Sequence, residues 1–244
     1  IIIIIIIIII IIIIIIMCLR YGWTPTELPV TCGCGEEFNV KHALSCLLGG
    51  FRSLMHNELQ HLYYLFLTEA GFKVEKEPLL TKLSGEFLKY KSANKEADAR
   101  SDLKVYGFWR RLRDAYFDLM VNSPTATSYQ NTKVSKLLKT SENKKNREYK
   151  ERINCVEHGD FSPLIFTTTG SMGTQALFVT KRIAQKLSDK SGHHISKVMG
   201  WLRCRISFAL LRSTLTCLRG TRTRRHLSEE INLDLAISQV VDKA

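Results

Sequence analysis

Residues 98–121 read "DARSDLKVYGFWRRLRDAYFDLMV". Two β-like runs stand in this stretch, "DLKVYGF" and "YFDLMV", and each carries an acidic residue where a half-buried strand favours an apolar one. Strand alternation puts Asp102, Lys104 and Tyr106 on one face and Leu103, Val105 and Gly107 on the other; it likewise groups Tyr116, Asp118 and Met120. A hairpin through "WRRLRDA" then brings Asp102 and Asp118 to one side of a sheet. A carboxylate there is costly to desolvate unless a cation meets it. Either Arg100, Arg110 or Arg113 neutralises the pair, or the two carboxylates share a divalent ion, typically Mg²⁺ with its oxygen ligands. In the second case Arg100 can orient the cluster or a bound phosphate.

Outward from this stretch, the 244-residue chain is 45% hydrophobic, enough for a real core, and carries a formal charge of +12. That charge favours a polyanionic partner, most often nucleic acid. Seven cysteines in so basic a chain point to reduced thiols or metal ligands rather than a secreted disulfide framework. Residues 1–16 are all isoleucine. They lack the charged leader and cleavage site of a signal peptide and fall short of the ~20 residues of a bilayer-spanning helix. The run reads as low-complexity sequence, with a membrane anchor as the alternative.

Cys32, Cys34, His42 and Cys46 form a C-x-C-x7-H-x3-C array in a zinc-knuckle-like segment, residues 17–46. His42 and Cys46 are four apart, so a helix presents both on one face, as half of a zinc site requires. The alternative is a compact turn with small buried side chains. Residues 47–70 read as a helix whose stripe runs through Phe51, Met55, Leu59, Leu62, Leu65 and Phe66. Glu58 falls within that stripe by spacing, and His56 flanks it. "FKVEKEP" alternates as a strand up to Pro78, and residues 84–98 read as a polar connection.

Beyond the two aspartates, residues 132–156 read as a helix. Leu138, Tyr149, Ile153 and Val156 share a stripe with Lys145, which is thereby the one lysine aimed at the sheet; Lys144, Arg147 and Lys150 point elsewhere. "SPLIFTTTG" is a buried strand, and two amphipathic helices follow. Arg219, Arg222, Arg224 and Arg225 form a basic cluster, read either as a phosphate clamp or as a solvated tail.

The predicted fold class is α/β, in the order helix, three strands, helix, strand: an αβββαβ core over residues 47–192. The zinc knuckle precedes it; a basic helix, 193–225, and a tail, 226–244, follow. This order resembles the PD-(D/E)XK restriction-endonuclease fold. The array with "MHNEL", "EKEP", "ARSDL", "FDLMV" and "ENKKNREY" is similar to the C-terminal region of non-LTR retrotransposon polyproteins, where a zinc knuckle precedes a restriction-like endonuclease. The likeness spans residues 19–225. It implies that Asp102 and Asp118 are the two motif aspartates and bind Mg²⁺, with Glu58 as a further ligand. It also implies that Lys145, ahead of Tyr149, is the catalytic lysine brought by the following helix. His56 belongs to the "RHN"-like motif. Three positions depart from the pattern: Ser101 replaces a proline, Met120 the motif lysine and Met55 a basic residue.

The resemblance further implies target-DNA nicking that leaves a 3′ hydroxyl to prime reverse transcription, in the nucleus. The partners are then DNA or RNA and the reverse transcriptase of the parent element. No "YADD"-like box occurs in the sequence, so the chain is expected to be the downstream end of such an element. The alternative is a catalytically inactive zinc-knuckle module that binds nucleic acid, which Met120 favours.

Overall fold

The computed structural model describes residues 18, 23, 25, 28–129 and 131–220. The isoleucine run, Arg222, Arg224, Arg225 and residues 226–244 lie outside them. The described residues fall into two compact units, one within 55–210 and one within 1–54 together with 211–220.

In the larger unit a four-stranded mixed sheet is built from β1 (Val74–Lys76), β2 (Leu103–Arg110), β3 (Arg113–Asn122) and β4 (Asp160–Thr167), in that spatial order. β1–β2 and β2–β3 are antiparallel, while β3 and β4 are parallel. The parallel pair needs a crossover. It is supplied by α3 (Val134–Lys145), a π-helical turn (Asn146–Lys150) and α4 (Glu151–Cys155). Pro163 is tolerated inside β4 because β4 is an edge strand.

The sheet sorts its side chains by alternation. Leu103 and Val105, Ala115, Phe117 and Leu119, and Leu164 and Phe166 enter the main core. They meet Leu59, Tyr63, Phe66 and Leu67 of α2 (Phe51–Glu69), Val179 and Ile183 of α5 (Thr174–Ser191), and Leu202 and Ile206 of α6 (Ile195–Arg219). On the opposite face Tyr116 and Phe161 pack with Tyr149, Ile153, Leu80 and Ala99. Asp118, two residues after Tyr116, is on this crossover side.

The predicted hairpin through "WRRLRDA" is present and tight: Trp109, Arg110 and Arg113–Ala115 belong to the antiparallel strands, with only Arg111 and Leu112 between them. The ladder is irregular between Val105 and Arg110, and Gly107 absorbs this at φ 64°; a Cβ there would sit 3.0 Å from the carbonyl oxygen of Arg111. Along α2, Leu65 is exposed and Glu58 half-buried, whereas Tyr63 and Leu67 are buried. Glu58 and Leu65 are seven residues apart and share the margin of the stripe rather than its centre. The helix ends where Gly71, at φ 87°, donates to Thr68 and Phe72 donates to Leu67.

Residues 84–98, read as a polar connection, and the residues just before them are pinned from beneath. Arg152 is 0% exposed, and its guanidinium donates to the carbonyls of Asn94, Glu96 and Thr81 at 2.9–3.0 Å. No helix among the described residues is long and apolar enough to cross a membrane.

The smaller unit contains α1 (Val40–Ser45). Asn39 caps it, its side chain accepting from the His42 N–H at 2.9 Å. Cys32, Phe38, Ala43 and Cys46 pack with Leu218.

Candidate functional site

Asp102 and Asp118 meet because of strand register. Leu103 pairs with Phe117 and Lys104 with Tyr116, so the next position outward sets Asp102 beside Asp118. Ser101, where the resembled motif has proline, is buried and donates its hydroxyl to the Phe117 carbonyl at 2.8 Å, tying the approach to Asp102 onto β3. The Asp102 carbonyl accepts from Gln60 Nε2 and from the Glu77 N–H, both at 3.0 Å.

Each carboxylate has a cationic partner, and neither partner is an arginine. His56 Nε2 is 3.0 Å from Asp102 Oδ2, which also accepts from the Leu119 N–H. Lys145 Nζ is 2.9 Å from Asp118 Oδ2 and 3.6 Å from Glu148 Oε2, and it lies 5.2 Å from the centre of the Tyr149 ring. The π turn begins directly after Lys145; Lys145 still reaches the sheet there, and Tyr149 and Ile153 stay buried beyond it.

Burial disfavours charge on Asp118, which is 5% exposed, and the Asp102 charge adds to this; together they push the Asp118 carboxyl well up against the opposing pull of Lys145. Lys145 is also partly desolvated, but Asp118 and Glu148 outweigh that and keep its ammonium charged. Burial works against charge on His56 too, yet the hydrogen bond to Asp102 and its charge prevail and raise His56 to about 9. This shift favours the protonated imidazole at neutral pH, a form able to orient Asp102 or meet an anion.

Glu58 is half-buried on α2. Arg100 is 3.8 Å from Glu77 and well exposed, and Arg113 pairs with Asp160 at 3.0 Å and donates to the Gly159 carbonyl. Arg219, exposed at the end of α6, belongs to the smaller unit. Met120 is half-buried next to Asp118 on β3 and offers no charge. Gln60 and Glu148 were not singled out from the sequence; Gln60 shares a face with His56 at four-residue spacing, which is the one signal that could have found it.

The cysteine and histidine array converges in the smaller unit. One ligand atom from each of Cys32, Cys34, His42 and Cys46 lies within 4.8 Å of the other three. Cys34 Sγ is 3.3 Å from His42 Nε2, and Cys32 Sγ is 3.8 Å from Cys46 Sγ. The turn between the first two ligands and α1 closes through Gly35, at φ 96°, whose N–H donates to the Cys32 carbonyl. Three thiols and an imidazole at these spacings are positioned to bind a metal ion, and the donor set is that of a closed structural zinc site. Among the described residues, no other set of three or more His, Cys, Asp or Glu side chains converges in this way.

No protein-family model matches the chain, and a search of curated proteins finds no match.

Proposed function

We propose that the protein is a metal-dependent DNA endonuclease of the PD-(D/E)XK type, derived from a non-LTR retrotransposon, with a structural zinc knuckle. The observation that carries this reading is the contact of Lys145 with Asp118. A lysine from the helix after β3 reaches the buried aspartate of that strand, beside Asp102, the residue that directly precedes β2. The αβββαβ order of elements supports it, as does the net charge of +12.

In this reading Asp102 and Asp118 hold Mg²⁺. The fit rests on two adjacent carboxylates and on Asp118 Oδ2, buried and accepting no well-formed hydrogen bond, with only the Lys145 ammonium against it. When bound, the ion supplies charge neutralisation and a water of lowered pKa. Lys145, released from Asp118, faces the phosphoryl oxygens as negative charge builds on them. His56 holds Asp102 in place through Nε2. Water adds to phosphorus and the P–O3′ bond breaks, leaving a 3′ hydroxyl and a 5′ phosphate. The 3′ hydroxyl is what a reverse transcriptase of the parent element would extend, in the nucleus. DNA is the substrate and RNA the further partner, and the zinc knuckle and basic surface grip the backbone.

A second reading, a non-catalytic nucleic-acid-binding module, is favoured by the closed pairing itself: Lys145 and His56 already neutralise Asp118 and Asp102. Incubating the purified chain with supercoiled plasmid separates the two. Nicking that requires Mg²⁺ supports the endonuclease. Retention of plasmid without nicking, at any Mg²⁺ concentration, supports the module.

A further inference from the structure

The start of α6 carries an unusual exposed stripe. Lys197, Trp201, Arg205 and Phe208 recur at spacings of four, four and three residues, which places them within an arc of ~80° on one face of the helix. Trp201 is 40% exposed and Phe208 63%, although the neighbouring Leu202, Ile206 and Leu210 are fully committed to the core. The Arg205 guanidinium lies 4.9 Å from the Trp201 ring centre and 5.2 Å from that of Phe66, so it holds the indole from one side. Beside Trp201 opens a cavity of about 530 Å³, lined by Leu187 and Val198, by Lys190, His193 and Lys197, and by one acidic residue, Glu69. Lys190 is steadied there by donating to the Glu69 carbonyl at 2.9 Å.

We infer that this face binds single-stranded nucleic acid, with bases stacked on Trp201 and Phe208 and phosphates held by Lys190, Lys197 and Arg205. Exposed aromatic faces separated by cations match unpaired bases separated by phosphates. A duplex hides its base faces and would use only the cations. Trp201 and Phe208 are ~10.5 Å apart along the helix axis, about the length of three stacked nucleotides. The cavity, partly apolar and within the size range of small-molecule sites, admits one base beyond the indole. A protein partner or a second copy of the chain would find the apolar rings interrupted by charge at every turn, which favours a polyanion. The inference rests on the nucleic-acid reading of the protein and is independent of the catalytic one.

The test is fluorescence anisotropy on the full chain, using a labelled oligothymidylate about twelve nucleotides long and a duplex of equal length. Wild-type protein should bind the single strand more tightly than the duplex. Trp201→Ala and Phe208→Ala should each weaken single-strand binding by roughly 5- to 100-fold while changing duplex binding little, and Trp201→Phe should restore most of the loss. Because Phe208 is largely exposed, Phe208→Ala keeps the fold intact even if Trp201→Ala does not. Unchanged single-strand affinity in Phe208→Ala and Trp201→Phe/Phe208→Ala, with DNA binding otherwise retained, overturns this inference and leaves the nucleic-acid reading standing. Absence of binding to either probe overturns both. A change in oligomeric state without a change in binding assigns the face to a second copy and overturns the inference.

Discussion

Lys145 Nζ stands 2.9 Å from Asp118 Oδ2, joining the crossover helix to the third strand across a nearly dry interface. A buried pair of this kind adds little net stability when complete, but is costly to break from one side. Lys145→Met should therefore destabilise the protein by about 3 kcal/mol at neutral pH, and Lys145→Met/Asp118→Asn should recover much of that. Urea denaturation of the two single variants and the double variant measures the coupling. Additive losses would show that the two side chains do not depend on each other.

His56 gives a pH dependence with a defined sign. Its pKa rises from 6.5 to about 9 in the folded chain, so the folded state holds a proton that the unfolded state gives up. This contribution is fully present below about pH 6.5 and is lost as the pH climbs through about 9. An NMR titration of the metal-free protein should show His56 protonated at pH 7.5, and Asp102→Asn should return it toward its ordinary value. A His56 midpoint near 6.5 in the metal-free wild type would contradict the Asp102 contact.

Zinc should copurify at about one ion per chain. Chelation, or Cys46→Ser, should unfold the segment around Cys32–Cys46, because its small core is made partly of the ligands themselves. The core of residues 55–210 contains none of the four ligands and should keep its strands by circular dichroism. Elemental analysis and the melting profile check both parts.

Arg152 is an internal clamp. Arg152→Leu fills the volume but leaves the Thr81, Asn94 and Glu96 carbonyls without their donor, at a cost of about 3 kcal/mol or more. Hydrogen exchange should accelerate over residues 79–99 well before it does over β2 and β3. Unchanged exchange there would show that the segment is held by other contacts.

How far the sequence foretells this structure depends on the range of the interaction involved. The strands at Leu103–Arg110 and Arg113–Asn122 were legible because alternation is local, and the His42–Cys46 spacing was legible because helix geometry is local. The inward orientation of Lys145 also follows from periodicity, although the π turn behind it leaves no mark in the pattern. Arg152 could not be recognised: it sits among charged neighbours, and only the wrapping of residues 81–96 around it makes it the most buried cation described. The His56–Asp102 pair spans 46 residues, so neither partner's pattern could announce the other. Glu58 was misplaced because spacings of seven and four link it to Phe51 and Leu62, which themselves stand toward one side of the buried stripe.

Whether Asp118 belongs to a phosphodiester-cleaving centre is decided by Mg²⁺-dependent nicking of supercoiled plasmid by wild type and Asp118→Ala side by side. Wild type should convert plasmid to the open-circular form and Asp118→Ala should not, while the variant stays folded and binds the DNA with near wild-type affinity. Nicking by Asp118→Ala at the wild-type rate, or no nicking by a wild-type protein that binds the plasmid, would contradict that role.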